Sequence, residues 1–211
     1  MTLLAVPTLM LATGNSGKVA ELSALLALHP GLAGISLLTP RDWPHSLTPV
    51  EETGDTFAEN ALLKARALAG ATGLPALADD SGLCVDALGG WPGLHSARWA
   101  GPDASDADRN LHLLSALAPF PEPKDRAARF VCAVAVVSPD GDEAVGMGEC
   151  AGVILTNPRG SAGFGYDPLF LLPDLGRTMA ELRQDEKNTH SHRARAVAAL
   201  APRLSLLLAA V

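Results

Sequence analysis

Apolar and polar positions change their period several times along this chain, and each change marks an element. Thr8–Ala12 is apolar enough to predict a buried strand, and Val19, Leu22, Leu25 and Leu26 then recur at helical spacing. Asn15 or Ser16 stands where that helix needs an N-cap. Glu51-Glu52-Thr53-Gly54 is a polar turn, and Thr56-Phe57-Ala58-Glu59 has the form of a capping box opening a helix to about Ala69. Leu74–Ala78 predicts a short strand that ends in Asp79-Asp80-Ser81-Gly82. Leu83–Leu88 is strand-like again, and Gly89-Gly90-Trp91-Pro92-Gly93 is loop.

In the second half, Asp103 or Ser105 caps a helix bearing Leu111, Leu114 and Leu117. Arg129–Val137 is apolar on both faces, the pattern of a central, doubly covered strand. Pro139-Asp140-Gly141-Asp142 turns the chain so that Glu143–Leu155 returns antiparallel beside it. Gly163–Pro168 is a loop feeding a short strand, Leu169–Leu172. Thr178-Met179-Ala180-Glu181 is a second capping box, and a last helix begins near Ser191, its apolar end Leu204–Val211 docking on the core. This order predicts a mixed α/β sheet flanked by helices rather than a regular Rossmann alternation.

No internal repeat, low-complexity tract or long linker interrupts the 211 residues, which suit one domain of at most two lobes sharing a core. The opening MTLLAVPTLMLA has the apolarity of a signal peptide. No Lys or Arg precedes it, however, and Pro7 interrupts it, so an irregular segment leading into a strand is expected. No run reaches the ~18 apolar residues of a membrane span.

A hydrophobic content of 48% with 18% charged residues excludes a disordered chain. A net charge of −7, without a basic stripe interleaved with aromatics, argues against a nucleic-acid polymer as partner. It leaves room for a small triphosphate bridged by Mg²⁺ on carboxylates. Cys84, Cys132 and Cys150 are widely spaced and odd in number, which fits buried thiols in a reducing compartment better than disulfides or structural zinc.

Five segments carry candidate chemistry. Thr13-Gly14-Asn15-Ser16-Gly17-Lys18 joins a strand to a helix, where N–H groups, helix dipole and lysine together make an anion site. A P-loop would need Gly at position 12 and Ser or Thr at 19, and Ala12 and Val19 fail that pattern. Glu51, Glu52, Asp79 and Asp80 offer the hard oxygens that Mg²⁺ takes. Asp79 and Asp80 would face opposite ways if the strand ran on through them. Only four lysines stand against twelve arginines, yet Lys18, Lys64 and Lys187 all lie in or beside these motifs, where a compact point charge suits a phosphate oxygen or carbonyl. The polar run Glu186–Arg193 gathers donors at a helix entrance; His190 and His192 lack further zinc ligands at suggestive spacing. Finally, Phe164-Gly165-Tyr166-Asp167 sets two aromatics and an acceptor among glycines, suited to stacking on a nucleobase or to core packing.

The succession TGNSGK, EETGDTFAENALLKA, ADDSGL, GGWPGLHSAR, GFGYDP and EKNTHSHR resembles the inosine triphosphate pyrophosphatase family, the XTP/dITP diphosphatases, from about Leu11 to the last helix. The resemblance implies an elongated mixed sheet with two lobes and a nucleotide cleft between them, in a cytoplasmic homodimer. It also implies Mg²⁺-dependent hydrolysis of deaminated purine nucleoside triphosphates (ITP, dITP, XTP) to monophosphate and pyrophosphate. By the same resemblance Thr13, Gly14, Asn15, Ser16, Gly17 and Lys18 hold phosphates, with Lys64. Asp80 is general base and metal ligand, and Ser81 touches substrate. Glu51 joins the metal, with Glu52 and Asp79 open as alternatives. Phe164, Gly165, Tyr166, Asp167, Lys187, His192 and Arg193 line the nucleotide, mainly its base. The rival readings are a pyrophosphatase for other nucleotides on the same scaffold and a nucleotide-binding module without turnover.

Overall fold

The computed structural model describes residues 7–209. In chain order its strands and helices are β1 (Thr8–Leu11), α1 (Ser16–Ala27), β2 (Ser36–Leu38), α2 (Phe57–Thr72) and β3 (Ala76–Val85). Then follow α3 (Asp106–Ala116), β4 (Ala127–Val137), β5 (Glu143–Ile154), β6 (Phe170–Leu172), β7 (Arg177–Thr178), α4 (Gln184–His190) and α5 (His192–Ala209). The strands form one mixed sheet in the order β2-β1-β3-β4-β5-β6-β7. β1 is parallel to both β2 and β3, and β6 is antiparallel to β5 and β7. Ser138 N bonds Asp142 O at the β4–β5 turn and Ile154 N bonds Arg126 O at the far end, so those two strands form the expected antiparallel hairpin. An α/β mixed sheet with five flanking helices is thus the fold, as the pattern of the sequence predicts.

The chain forms two compact units, the first of residues 7–80, 132–148 and 193–209 among those described, the second of Ser81–Val131 and Glu149–His192. In the first unit the two-residue period of the strands sorts side chains onto two faces. Leu9, Leu11, Leu77, Cys132, Val134 and Val136 meet α1 and α5 through Leu22, Leu25, Leu26, Val197, Leu200 and Leu204. Met10, Ala76, Ala78, Ala133, Ala135 and Val137 meet α2 through Ala61, Ala65, Leu68 and Ala69. At Gly146 a Cβ would stand 2.3 Å from Ala196 O and 2.7 Å from Leu200 N, so only glycine lets α5 lie this close to β5. The second unit packs Leu83, Val85, Phe130, Phe170 and Met179 against Leu113 of α3 and its C-cap Leu117. There the buried Arg126 donates to the carbonyls of Leu117, Phe120, Ile154 and Leu155, which gathers the ends of α3 and β5.

Several local expectations change. β3 does not end at the aspartates but runs unbroken through Asp79-Asp80-Ser81-Gly82 to Val85, because each carboxylate finds its own cation and need not turn to water. Leu83–Leu88 is therefore the tail of that strand plus a single 3₁₀ turn, Asp86–Leu88. Helix α2 continues past Ala69 to Thr72, where Gly73 closes it at φ +67°. The second capping box encloses only one 3₁₀ turn, Met179–Glu181, and the polar run after it is split between α4 and the start of α5. All three cysteines are buried and none is in a disulfide, and burial pushes the Cys132 thiol up to about 12. No helix of the described residues is long and apolar enough to cross a membrane. The expected irregular opening, before Pro7, and the last two apolar positions lie outside the described residues.

Candidate active site

Asp79 and Asp80 are neighbours on β3, so their side chains leave the sheet in opposite directions. Asp79 continues the row of Leu77 toward α1 and α5. Its Oδ2 receives Lys18 Nζ at 2.9 Å and Arg193 Nη2 at 3.1 Å and Nε at 3.3 Å. The remaining Nη1 of Arg193 donates to Glu21. Burial pushes the Asp79 carboxyl up, but Lys18 and Arg193 outweigh it and hold the group well below the usual carboxylate range. Burial likewise disfavours the charge on Arg193, and the Asp79 carboxylate more than offsets it.

Asp80 continues the row of Ala76 and Ala78 toward α2. There Lys64 Nζ lies 3.3 Å from Oδ1 and Asn60 Nδ2 lies 3.3 Å from Oδ2. The same ammonium meets Glu52 at 2.8 Å. For Asp80 burial dominates and raises the pKa, Lys64 pulls it down, and Glu52 pushes it up further. Lys64 loses by burial and gains more from Asp80 and Glu52, so its ammonium is held more firmly than usual. Asn60 is almost fully buried, and its Oδ1 accepts from Gly54 N at 2.8 Å. A Cβ on Gly54 would come within 2.9 Å of that oxygen, so the glycine allows the acidic turn Glu51–Gly54 to lie against α2. The capping box holds the same entrance: Thr56 Oγ1 accepts from Glu59 N, and Glu59 Oε2 accepts from Asp55 N and Thr56 N.

The β1–α1 turn is ordered by its own cap. Asn15 N donates to Thr13 Oγ1 and Lys18 N donates to Asn15 Oδ1, which makes Asn15 the N-cap. Ser16 and Gly17, in the first helical turn, have no carbonyl one turn back to bond. Gly14 and Ser16 are exposed, and Arg41 Nη2 reaches Gly14 O at 3.4 Å, which adds a second cation to the turn.

A different chemistry gathers in the second unit. Asp167 Oδ2 accepts from Lys187 Nζ at 2.9 Å and from Phe164 N at 3.1 Å. Lys187 Nζ also stands 5.7 Å from the centre of the half-buried Phe164 ring. At Gly163 (φ +79°) a Cβ would fall 2.1 Å from Asp167 Oδ2, so the loop can close on the carboxylate only with glycine there. The Tyr166 ring is buried in the core and its hydroxyl donates to Ser96 O at 2.9 Å; burial pushes its pKa up to about 12. His192 stacks on Phe130 with ring centroids 4.7 Å apart. The arrangement offers a buried acceptor, a buried ammonium and one aromatic face.

The Ham1 family model matches residues 9–203. The chain belongs to the Ham1 family. It is 52% identical over 192 residues to a dITP/XTP pyrophosphatase of Geobacter sulfurreducens, covering 91% of this chain and 94% of that one. Among solved structures it is similar to a HAM1 protein from Coxiella burnetii at TM-score 0.81 and 41% identity, covering 98% and 100% of the two chains. It is also similar to a nucleoside-triphosphatase / dITP/XTP pyrophosphatase from Mycobacterium abscessus at TM-score 0.72 and 45% identity, covering 92% and 99%. The resemblance carried by the six motifs is therefore a resemblance of the whole Ham1 chain.

Within this family member the residues singled out by sequence separate into distinct groups. Asp80, Lys64 and Glu52 come together, with Glu51 exposed beside them in the turn and Ser81 half-buried next along β3. Asp79 is spent on Lys18 and Arg193. Arg193, expected to line a base, is buried and donates to two carboxylates of the first unit, Asp79 and Glu21. Tyr166 is a core brace, so of the two rings in its loop Phe164 is the one suited to stacking. Among the described residues no group of three or more His, Cys, Asp or Glu forms a ready-made metal site. Asp80 with its glutamate neighbours is an oxygen-only donor set, and that suits a hard cation completed by phosphate oxygens and water. Glu21, Arg41, Asn60 and Ser96 escaped the sequence reading as site residues. Only Asn60 left a usable trace, its i, i+4 relation to Lys64.

Proposed function

We propose that this Ham1 protein is a nucleoside triphosphate pyrophosphatase that hydrolyses deaminated purine nucleotides, dITP, XTP and ITP, to the monophosphate and pyrophosphate. The dITP/XTP pyrophosphatase name of its relatives at about half identity supports the reaction class. The observation that carries the mechanism is the division of labour on β3, where one aspartate is neutralised by structural cations and its neighbour stays poised with a raised pKa.

The first-turn N–H groups of α1, with Lys18, bind the triphosphate, and Asp79 holds that lysine from behind. Asp80 orients a water toward the α-phosphorus and receives its proton at the carboxylate, which Lys64 and Asn60 hold in place. Lys64 also offsets negative charge gathering on the leaving pyrophosphate. Asp80 and Glu51 would hold Mg²⁺, which when bound neutralises phosphate charge, while Glu52 stays engaged by Lys64. Base recognition falls to Phe164, Asp167, Lys187 and His192. Donors matched to a 6-oxo group would face another donor in a 6-amino purine, and mismatches of that kind discriminate by up to ~10⁴–10⁵. The protein acts in this reading as a cytoplasmic homodimer, which sedimentation equilibrium tests.

The deciding experiment is steady-state hydrolysis of ITP, XTP, dITP, GTP and ATP with and without Mg²⁺, with pyrophosphate and orthophosphate quantified separately. The expected result is Mg²⁺-dependent pyrophosphate release from the 6-oxo substrates, with ATP and GTP much slower. Orthophosphate as primary product would move the attack to another phosphorus and overturn the mechanism. Nucleotide bound without turnover would make the protein a binding module.

A further inference from the structure

Helix α3 contributes no residue to any of the six motifs, yet it grips the loop that carries Phe164 and Asp167. Asp106, first in the helix, uses Oδ2 to accept from Gly165 N at 2.7 Å. Asn110, one turn later on the same face, donates from Nδ2 to Gly165 O at 2.8 Å and to Asp106 O at 2.7 Å. Both backbone groups of one glycine are thus held by two side chains of one helix. Gly165 sits at φ +62° with open space where a Cβ would be, so its glycine answers to backbone conformation and not to crowding.

The grip is itself anchored. Asp106 Oδ1 pairs with Arg109, and Arg109 Nε donates to Ala97 O at 2.9 Å. Ala97 follows Ser96, whose carbonyl takes the Tyr166 hydroxyl. Residues 165 and 166 are therefore fixed in succession, one by α3 and the other by Ser96. The Asn110 amide has no choice of orientation, since two carbonyl oxygens face its nitrogen. That leaves its Oδ1 buried with no hydrogen-bond partner among the described residues. An unsatisfied buried acceptor costs stability, so this asparagine is not the residue that stability alone would select here.

We propose that Asp106 and Asn110 are positioning residues for base selectivity: by holding Gly165 they set the Phe164 ring and the Asp167 carboxylate in the attitude that distinguishes a 6-oxo from a 6-amino purine. This rests on the base-reading role given to Phe164 and Asp167 above. Neither residue touches the substrate; each acts through the glycine between them.

The test is the ratio of kcat/KM for dITP to that for dATP in Asn110→Asp and in Asp106→Ala. Inhibition by tripolyphosphate is measured alongside as a phosphate-only probe, and thermal midpoints as a check on folding. Asn110→Asp is nearly isosteric and turns a carboxylate oxygen on two carbonyls. Asp106→Ala removes the acceptor of Gly165 N by an independent route, so one folded variant suffices. Each is expected to lower the dITP to dATP ratio about tenfold, as befits one loop-holding hydrogen bond, mainly through KM for dITP and with tripolyphosphate inhibition unchanged. Asp106→Asn, which keeps an oxygen toward Gly165 N, is expected to restore most of the ratio lost in Asp106→Ala. Parallel losses on both nucleotides with the ratio unchanged would overturn the inference and leave the grip purely structural. Phe164→Ala and Asp167→Asn separate the two levels. If they change the ratio and the α3 variants do not, the inference alone fails. If they too leave the ratio unchanged, the base-reading role falls and takes the inference with it.

Discussion

Arg193 donates through both Nε and Nη2 to one oxygen of Asp79, at 3.3 and 3.1 Å, across 114 residues of sequence. Asp79 is the neighbour of the proposed base, and Arg193 opens the last segment of the first unit. The pair ties β3 to α5, and Lys18 and Glu21 extend it to α1. In a buried network of this kind each charge is tolerable only while its partners remain.

Removing one member should therefore be costly. Arg193→Met is expected to destabilise the protein by about 3–5 kcal/mol, because Asp79 and Glu21 both lose a buried counter-charge. Urea denaturation checks this, and a loss under about 1 kcal/mol would mean that water reaches the pair.

The same network sets an acid limit on stability. Folding holds Asp79 below its ordinary value of 3.8, so its stabilisation is complete above that value and disappears as pH falls through the lower folded value. Denaturation midpoints of the wild type should decline as pH is taken below 4, and Asp79→Asn, less stable at neutral pH, should show a shallower decline. Parallel curves for the two proteins would remove Asp79 as the source.

Asp80→Asn keeps the shape of the strand and removes the proton acceptor. Turnover is expected to fall by about 10²–10⁴-fold while nucleotide binding, followed by calorimetry, persists. Wild-type turnover in this variant would exclude Asp80 as the base.

The two rings of the glycine loop should separate cleanly. Tyr166→Phe deletes the bond to Ser96 O and is expected to cost about 1 kcal/mol of stability with little change in KM for dITP. Phe164→Leu should leave stability nearly intact and raise that KM, because the exposed part of its ring is what a base can stack on. A KM effect confined to Tyr166→Phe would reverse the assignment.

Much of this was legible in the chain itself. The two-residue and helical periods placed β1, α1, β4 and the β4–β5 hairpin, since burial of one face is a local demand written at fixed spacing. Capping residues placed the starts of α2 and α3, because a cap answers donors three residues away. The scarcity of lysine picked out Lys18, Lys64 and Lys187, each of which proves to be paired with a motif carboxylate.

What local pattern does not contain is partnership across long separations. Nothing near Asp79 states that Arg193 and Lys18 will neutralise it, and so the sequence left β3 ending where it in fact continues. The separate tasks of Asp79 and Asp80, the engagement of Glu52 by Lys64, the burial of Tyr166 beside the half-exposed Phe164, and the hold of Asp106 and Asn110 on Gly165 are likewise tertiary decisions. Periodicity and caps are energies between residues a few positions apart, legible from order alone. Ion pairs and carbonyl bonds depend on which distant groups the packed core brings within 3 Å or so, and only the folded chain sets that distance.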